Sequence, residues 1–112
     1  MTTTTLSELH EQADRRRIKA SVPSGETSPW ILVRSEGMVR VKPGGGGGTM
    51  SVELTSSLPS VVLADNANST SNSVAEVWPS GTVSTVTSLS YKYATAIRFT
   101  ATTSAGVGEI AT

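Results

Sequence analysis

The chain has 112 residues, nine Lys and Arg against nine Asp and Glu, and a formal net charge of zero. That length holds one modest core, and a neutral chain sets up no overall field to gather nucleic acid or an anionic membrane. The lack of Cys excludes a disulfide framework and thiolate metal sites, and 4% aromatic content is sparse for a module that stacks on sugars or bases. No apolar run approaches the roughly 20 residues of a membrane helix. The opening Met-Thr-Thr-Thr-Thr lacks the basic and apolar regions of a secretion signal, so synthesis in a cytoplasm is expected.

Residues 2–20 read as a short helix. Thr5 and Glu8 have the spacing of a capping box, and Glu11 precedes Arg15 by four, the favourable order for an ion pair. Acids come early and bases late, which complements a helix dipole. The apolar stripe is Leu6, Leu9 and Ala13, with Ile18 or Ala20, and is too thin to hold an isolated helix in water. The segment is therefore expected to dock as an arm, on another chain or on the body of its own. Residues 21–29, with two Pro and a Gly, read as a linker. The expected organisation is an arm and linker over 1–29, then a β-domain over 30–112.

Strand candidates follow. Residues 30–35 and 38–42 flank Glu36-Gly37, which suits a tight hairpin. Residues 49–55 alternate cleanly, with Met50, Val52 and Leu54 on one face. Further candidates are 60–64, 74–78, 82–91, 95–102 and 107–111. Between them lie a polar loop at 65–72, a turn at Trp78-Pro79-Ser80-Gly81 with Pro second and Gly fourth, and a closing hairpin at Ser104-Ala105-Gly106. About seven or eight short strands with no helix between them predict an all-β fold, an antiparallel β-sandwich or small barrel, preceded by the helical arm.

Groups that do chemistry are few. Gly44 to Gly48 invite a phosphate-loop reading, but no Lys follows and Thr49 opens a strand, so they read as an inter-strand loop. His10 and Asp14 share a helix face as one thin metal pair, and a solvated face is the preferred reading. The serines have no second His to activate them. Glu53, Glu76 and Glu109 fall where outward strand faces are expected. The sequence predicts no enzyme, no metal and no cofactor. Asn68-Ser69-Thr70 matches a glycosylation sequon and reads as chance without a secretory signal.

Seven of the nine bases lie at or before Lys42, and the densest run is Arg15, Arg16, Arg17 and Lys19. It could hold a phosphate backbone, pair with an acidic groove of a partner protein, or end a solvated helix. Trp30 and Trp78 are each a core edge or an interface anchor. Tyr91 and Tyr93 are placed on one strand face, as a sheet contact or an exposed binding strip.

The segments Val39-Arg40-Val41-Lys42-Pro43 with the Gly run, Ala75-Glu76-Val77-Trp78-Pro79-Ser80-Gly81-Thr82-Val83, and Thr95-Ala96-Ile97-Arg98-Phe99-Thr100-Ala101 resemble small β-sandwich accessory proteins of tailed bacteriophage virions. These are capsid decoration (cement) proteins and fibre adaptors. The resemblance implies a homo-oligomer, a trimer favoured, fixed on the virion after synthesis in the host cytoplasm, with no catalytic residues to carry over. The leading expectation is a capsid cement subunit bound to the major capsid protein or another virion protein. Leu6, Leu9 and Ala13 would supply its apolar contact and Arg15, Arg16, Arg17 and Lys19 its electrostatic one. The alternatives are a fibre adaptor or receptor-binding module displaying residues 65–72, Tyr91 and Tyr93 to a glycan, and a nucleic-acid-binding protein using the basic arm. Nucleic acid ranks last among the partners, and no membrane is expected.

Overall fold

Period-two alternation carries most of the chain. In a computed structural model, which describes residues 4–12 and 15–112, the strands are β1 (Thr5–Gln12), β2 (Arg15–Val22), β3 (Ile31–Leu32), β4 (Glu36–Lys42), β5 (Thr49–Thr55), β6 (Ala75–Val77), β7 (Thr87–Lys92), β8 (Ala96–Thr102) and β9 (Gly106–Ala111). One helix, α1 (Pro59–Asn68), lies between β5 and β6. The strands form two antiparallel sheets, β1-β2-β9-β4-β7 and β3-β8-β5-β6. Ile18, Val39, Val41 and Ile110 from the first sheet and Met50, Val52, Ile97 and Phe99 from the second make one buried cluster, joined by Trp78. A smaller cluster joins Trp30, Val62 and Ala96 beneath α1.

The N-terminal helical arm is overturned. Residues 5–12 and 15–22 are two paired strands, and β2 runs in register along β9 from Arg17↔Ala111 to Val22↔Gly106. The reason is one of magnitude. A helical ion pair such as Glu11 with Arg15 stabilises by about 0.2–0.5 kcal/mol. Burying Ile18 and Val22 contributes about 1.5–3 kcal/mol each, and β2 places both in the core. Arg17, Lys19 and Ser21 alternate with them toward solvent. The linker reading of 21–29 also changes: Val22 is buried, and the chain beyond it is tied to β8 by Gly25 N–H to Ala101 O (2.8 Å) and Ser28 N–H to Phe99 O (2.7 Å).

The expected strand at 60–64 is the first half of α1. Pro59 at the first helical turn fixes the entry, and Ser69 closes the helix in the left-handed region (φ 53°). Val62 alone is fully buried among its apolar residues, so the helix shows no clean 3.6-residue stripe to read. Two expected hairpins are crossovers instead. β3 and β4 belong to different sheets, as do β8 and β9, so residues 33–35 and 103–105 carry the chain from one sheet to the other. Glu36 and Gly37 open β4 rather than turning. The expected strand 82–91 narrows to β7. The turn at residues 78–81 is present, closed by Gly81 N–H to Trp78 O at 3.1 Å.

The glycine run joins β4 to β5 across the two sheets. A Cβ on Gly44 or Gly48 would collide with backbone or side-chain atoms, and Gly46 and Gly47 have φ of 73° and 87°. The loop packs against Ser104, whose hydroxyl donates to Gly45 O. Its glycines therefore serve close packing and left-handed backbone, and β5 rather than a helix follows.

Candidate functional site

The outward face of the five-stranded sheet gathers the bases. Alternation in β2 turns the half-buried Arg17 and the exposed Lys19 outward; in β4 it exposes Met38, Arg40 and Lys42; β9 contributes Glu109 and Ala111, and β7 contributes Ser88, Ser90 and Lys92. Register aligns these into rows across the strands. Arg17, Ala111, Met38 and Ser90 form one, and Lys19, Glu109, Arg40 and Ser88 the next. Lys92 stands opposite Glu36. Among the described side chains this face holds five bases against two acids, a net charge of +3 on a chain whose total is zero. A hollow of about 100 Å³ opens between Arg17, Met38, Arg40, Glu109 and Ala111. Arg17 lines it, and Arg17 Nε is buried with no hydrogen-bond partner among the described residues.

The proposed arm contacts divide. Arg17 and Lys19 lie on this face. Arg16 points the other way along β2, and its backbone exchanges hydrogen bonds of 2.9 Å with Thr112. Arg15 pairs with Gln12 and Leu9 with Arg17 in the β1–β2 ladder. Leu6 pairs with Ala20 and is 47% exposed. Ala13 and Asp14 fall outside the described residues, and with Asp14 so does the His10–Asp14 pairing. The helical apolar stripe does not exist, because residues three apart, such as 6 and 9, fall on opposite faces of a strand.

The aromatic expectations resolve toward packing. Trp78 is buried in the main core, and its indole N–H donates to Gly81 O. Trp30 is buried under α1, with the Arg98 guanidinium 4.3 Å from its ring centroid; Arg98 Nε in turn donates to Glu53 Oε1 at 2.9 Å. Tyr91 and Tyr93 do not share a face. Tyr91 is buried on β7 over Gly37, and burial raises its hydroxyl pKa. Tyr93 lies past the strand end at φ 60° and is 82% exposed.

Residues 65–72 are not one continuous loop. Asp65 to Asn68 complete α1, and Asp65 is buried. Its carboxylate accepts hydrogen bonds from Thr70 Oγ1 (2.7 Å), Asn72 N–H (2.9 Å) and Ser73 N–H (2.7 Å). Ser73, Thr70 and Asn72 thereby hold it well below the usual carboxylate range. A cleft of about 670 Å³ lies beside β6, where Val74, Val77 and Tyr93 are exposed. Among the described residues no group of three His, Asp or Glu could hold a metal ion, and no helix is long and apolar enough to cross a membrane.

Sequence reasoning missed Met38, Arg40, Lys42 and Lys92. The signal was present in part, since Glu36, Met38, Arg40 and Lys42 alternate with Val39 and Val41. Placing them beside Arg17 required the pairing of β4 with β9 and of β9 with β2, which no local pattern carries.

No protein-family model matches this chain, and neither does any curated protein. Among solved structures, an RmlC-like cupin protein from Desulfovibrio desulfuricans is similar at 13% identity and a TM-score of 0.49, over 97% of this chain and 81% of that one.

Proposed function

We propose that this chain is a non-enzymatic assembly subunit of a virion, a cement or decoration protein that docks on the assembled shell through the outward face of its five-stranded sheet. Its two sheets would be the sandwich body of such a protein. The observation that supports this reading is the segregation of charge. Arg17, Lys19, Arg40, Lys42 and Lys92 share one flat face although the whole chain is neutral. A face of that kind fits an acidic surface and fixes its register, while the core stays untouched. Met38, 41% exposed within the basic rows, adds the apolar contact that interfaces favour alongside Arg.

A protein partner is favoured over nucleic acid because Glu36 and Glu109 lie within the face. None of its described side chains is aromatic, so bases have nothing to stack on there. Binding the assembled shell better than free subunits would shift the equilibrium toward the intact particle. On the shell the subunit is read as a homo-oligomer, a trimer favoured, made in the host cytoplasm.

The test is co-sedimentation with assembled shells from the protein's own source. Arg40→Glu with Lys42→Glu should abolish co-sedimentation and leave the urea unfolding midpoint unchanged, since both side chains are exposed. A doubly reversed protein that still sediments with shells, at unchanged stoichiometry, rules the face out.

A further inference from the structure

We infer that this chain pairs with a second copy of itself: the free edge of β6, with the groove beside it, seats β6 of the other copy antiparallel, about a two-fold axis at Ala75. The contact lies apart from the basic face and goes beyond the docking reading above.

The first observation is an open edge. β6 pairs with β5 alone. Trp78 N–H donates to Val52 O at 2.9 Å, and Glu76 stands opposite Leu54 in the same register. Alternation then turns the N–H and C=O of Ala75 and Val77 away from β5, onto the open edge. Two other edges differ: α1 closes β3 through Asn66, and the side chains that β7 exposes are Ser88, Ser90 and Lys92.

The second is an apolar wall. Val74, Val77 and Tyr93 are 78%, 58% and 82% exposed, and all three line the groove of about 670 Å³ together with Leu54, Trp78 and Ala94. Apolar surface gathered beside an unpaired edge marks an association site, unlike single exposed residues scattered over a surface. Three residues of backbone template little by themselves, so the wall carries much of the contact.

The third decides the occupant. Glu76 and Lys92 both line the groove, and neither has an ion-pair partner among the described residues. A second copy brings to this acid and this base the opposite charge each lacks, and two copies of a neutral chain meet without net repulsion. It also brings the one thing an open edge needs, another open edge, with Val74 and Val77 beside it. Charge sets the register as well. With Ala75 opposite Ala75, the outward amide of each copy meets the outward carbonyl of the other, and Glu76 faces the second copy's Val74. A shift that put Glu76 opposite Glu76 would set like charges face to face, which destabilises a strand pair. Free in solution the chain is then a dimer, and a trimer on the shell has to form through other surfaces.

The test is the mass of the full chain in solution, by sedimentation equilibrium over a dilution series with no shell present. Wild type should show a monomer–dimer equilibrium. Ala75→Pro removes one donor from each copy, and an edge strand can lose an outward N–H without losing its fold. With two hydrogen bonds gone per dimer, association should weaken about tenfold or more. Val77→Asp, which charges the apolar wall, should weaken it too, with circular dichroism confirming that each variant folds. The chain has no Cys, so a single introduced thiol reports the register. Residues facing each other in a hydrogen-bonded pair have Cα atoms ~5.5 Å apart, within reach of a disulfide. Ala75→Cys should therefore oxidise to a covalent dimer well before Val77→Cys, whose thiols the two-fold axis holds apart.

A wild type that stays monomeric at every concentration, or forms a trimer instead, overturns the pairing. So does a dimer that either variant, once shown to be folded, leaves at full strength, and so does equal cross-linking of the two thiol variants. Each of these failures leaves the docking face standing, because shell co-sedimentation of Arg40→Glu with Lys42→Glu tests that face separately. A dimer with the expected register that ignores shells upholds the pairing and removes the virion reading.

Discussion

Phe99 fills the centre of the core because Gly108 lets it. A Cβ on Gly108 would come within 2.5–2.6 Å of the Phe99 ring, in a strand otherwise favourable to β-branched residues. Gly106 leaves the same room for Met50. Inserting one methyl at a filled position forces the ring off its rotamer or the backbone apart, and such overpacking costs about 1–3 kcal/mol. Gly108→Ala should lower the urea midpoint accordingly while Ser21→Ala, outward on β2, leaves it unchanged; equal midpoints for all three proteins would show that the core yields. At this scale much was legible. Alternation named Met50, Val52 and Leu54 as one face, and Met50 and Val52 are buried; what they pack against could not be read from spacing. The Trp side chains were left between core and interface, and buried neighbours decided for core. Tyr93 escaped its expected place because a left-handed residue ends β7 and the period-two rule stops there.

At the scale of elements, α1 does the work of a strand. It lies against β3, an edge of its sheet, and Asn66 answers the backbone of Trp30 with both ends of its amide: Trp30 N–H donates to Asn66 Oδ1 and Asn66 Nδ2 donates to Trp30 O, each at 2.8 Å. An edge that would offer a template for another chain is thus closed by a side chain. Asn66→Ala leaves two backbone groups in need of partners at about 1–3 kcal/mol, and should speed hydrogen exchange at the Trp30 amide well ahead of Val52. Equal acceleration at both would mean that only global stability had changed. Asp65 ties the other side of the helix to residues 70–73. Its pKa is depressed in the folded state, so its contribution is present above the unfolded value, about 3.9, and is lost as pH falls below that toward the folded one. Acid titration of the urea midpoint should show wild type falling faster than Asp65→Asn below about pH 4 and the two converging; parallel curves would remove Asp65 as the cause. Neither tie was legible. Val61, Val62 and Leu63 favour strand, and what overrides them is a Pro at the first turn together with an Asn and an Asp whose partners lie elsewhere in the chain.

For the whole molecule the decisive feature is that the chain keeps changing sheets. From β2 to β5 each strand lies in the sheet opposite its predecessor, and so it is again from β6 to β9. Sheet neighbours are therefore distant in sequence, as with β2 beside β9 and β5 beside β8. Loop closure must precede most pairing, which slows folding relative to a hairpin-built protein. It also explains why strands could be read locally and their order could not. The same topology makes a sharp demand of the N-terminal segment. β1 pairs only with β2 and is an edge, whereas β2 is interior and brings Ile18, Ala20 and Val22 to the core. A chain beginning at Arg15 loses an edge; one beginning at Ser21 loses most of an interior strand, including the burial of Ile18, and uncovers β9. With ~1.5–3 kcal/mol for Ile18 alone, the β2–β9 ladder in addition, and a typical total stability of about 5–15 kcal/mol, the second truncation should abolish cooperative urea unfolding while the first preserves it. Cooperative unfolding of the chain from Ser21, at a midpoint near wild type, would make residues 15–20 an appendage after all. Otherwise they belong to the body, and a partner that touches Arg17 and Lys19 is touching a sheet face fixed by the core, with the positions of its charges set before binding.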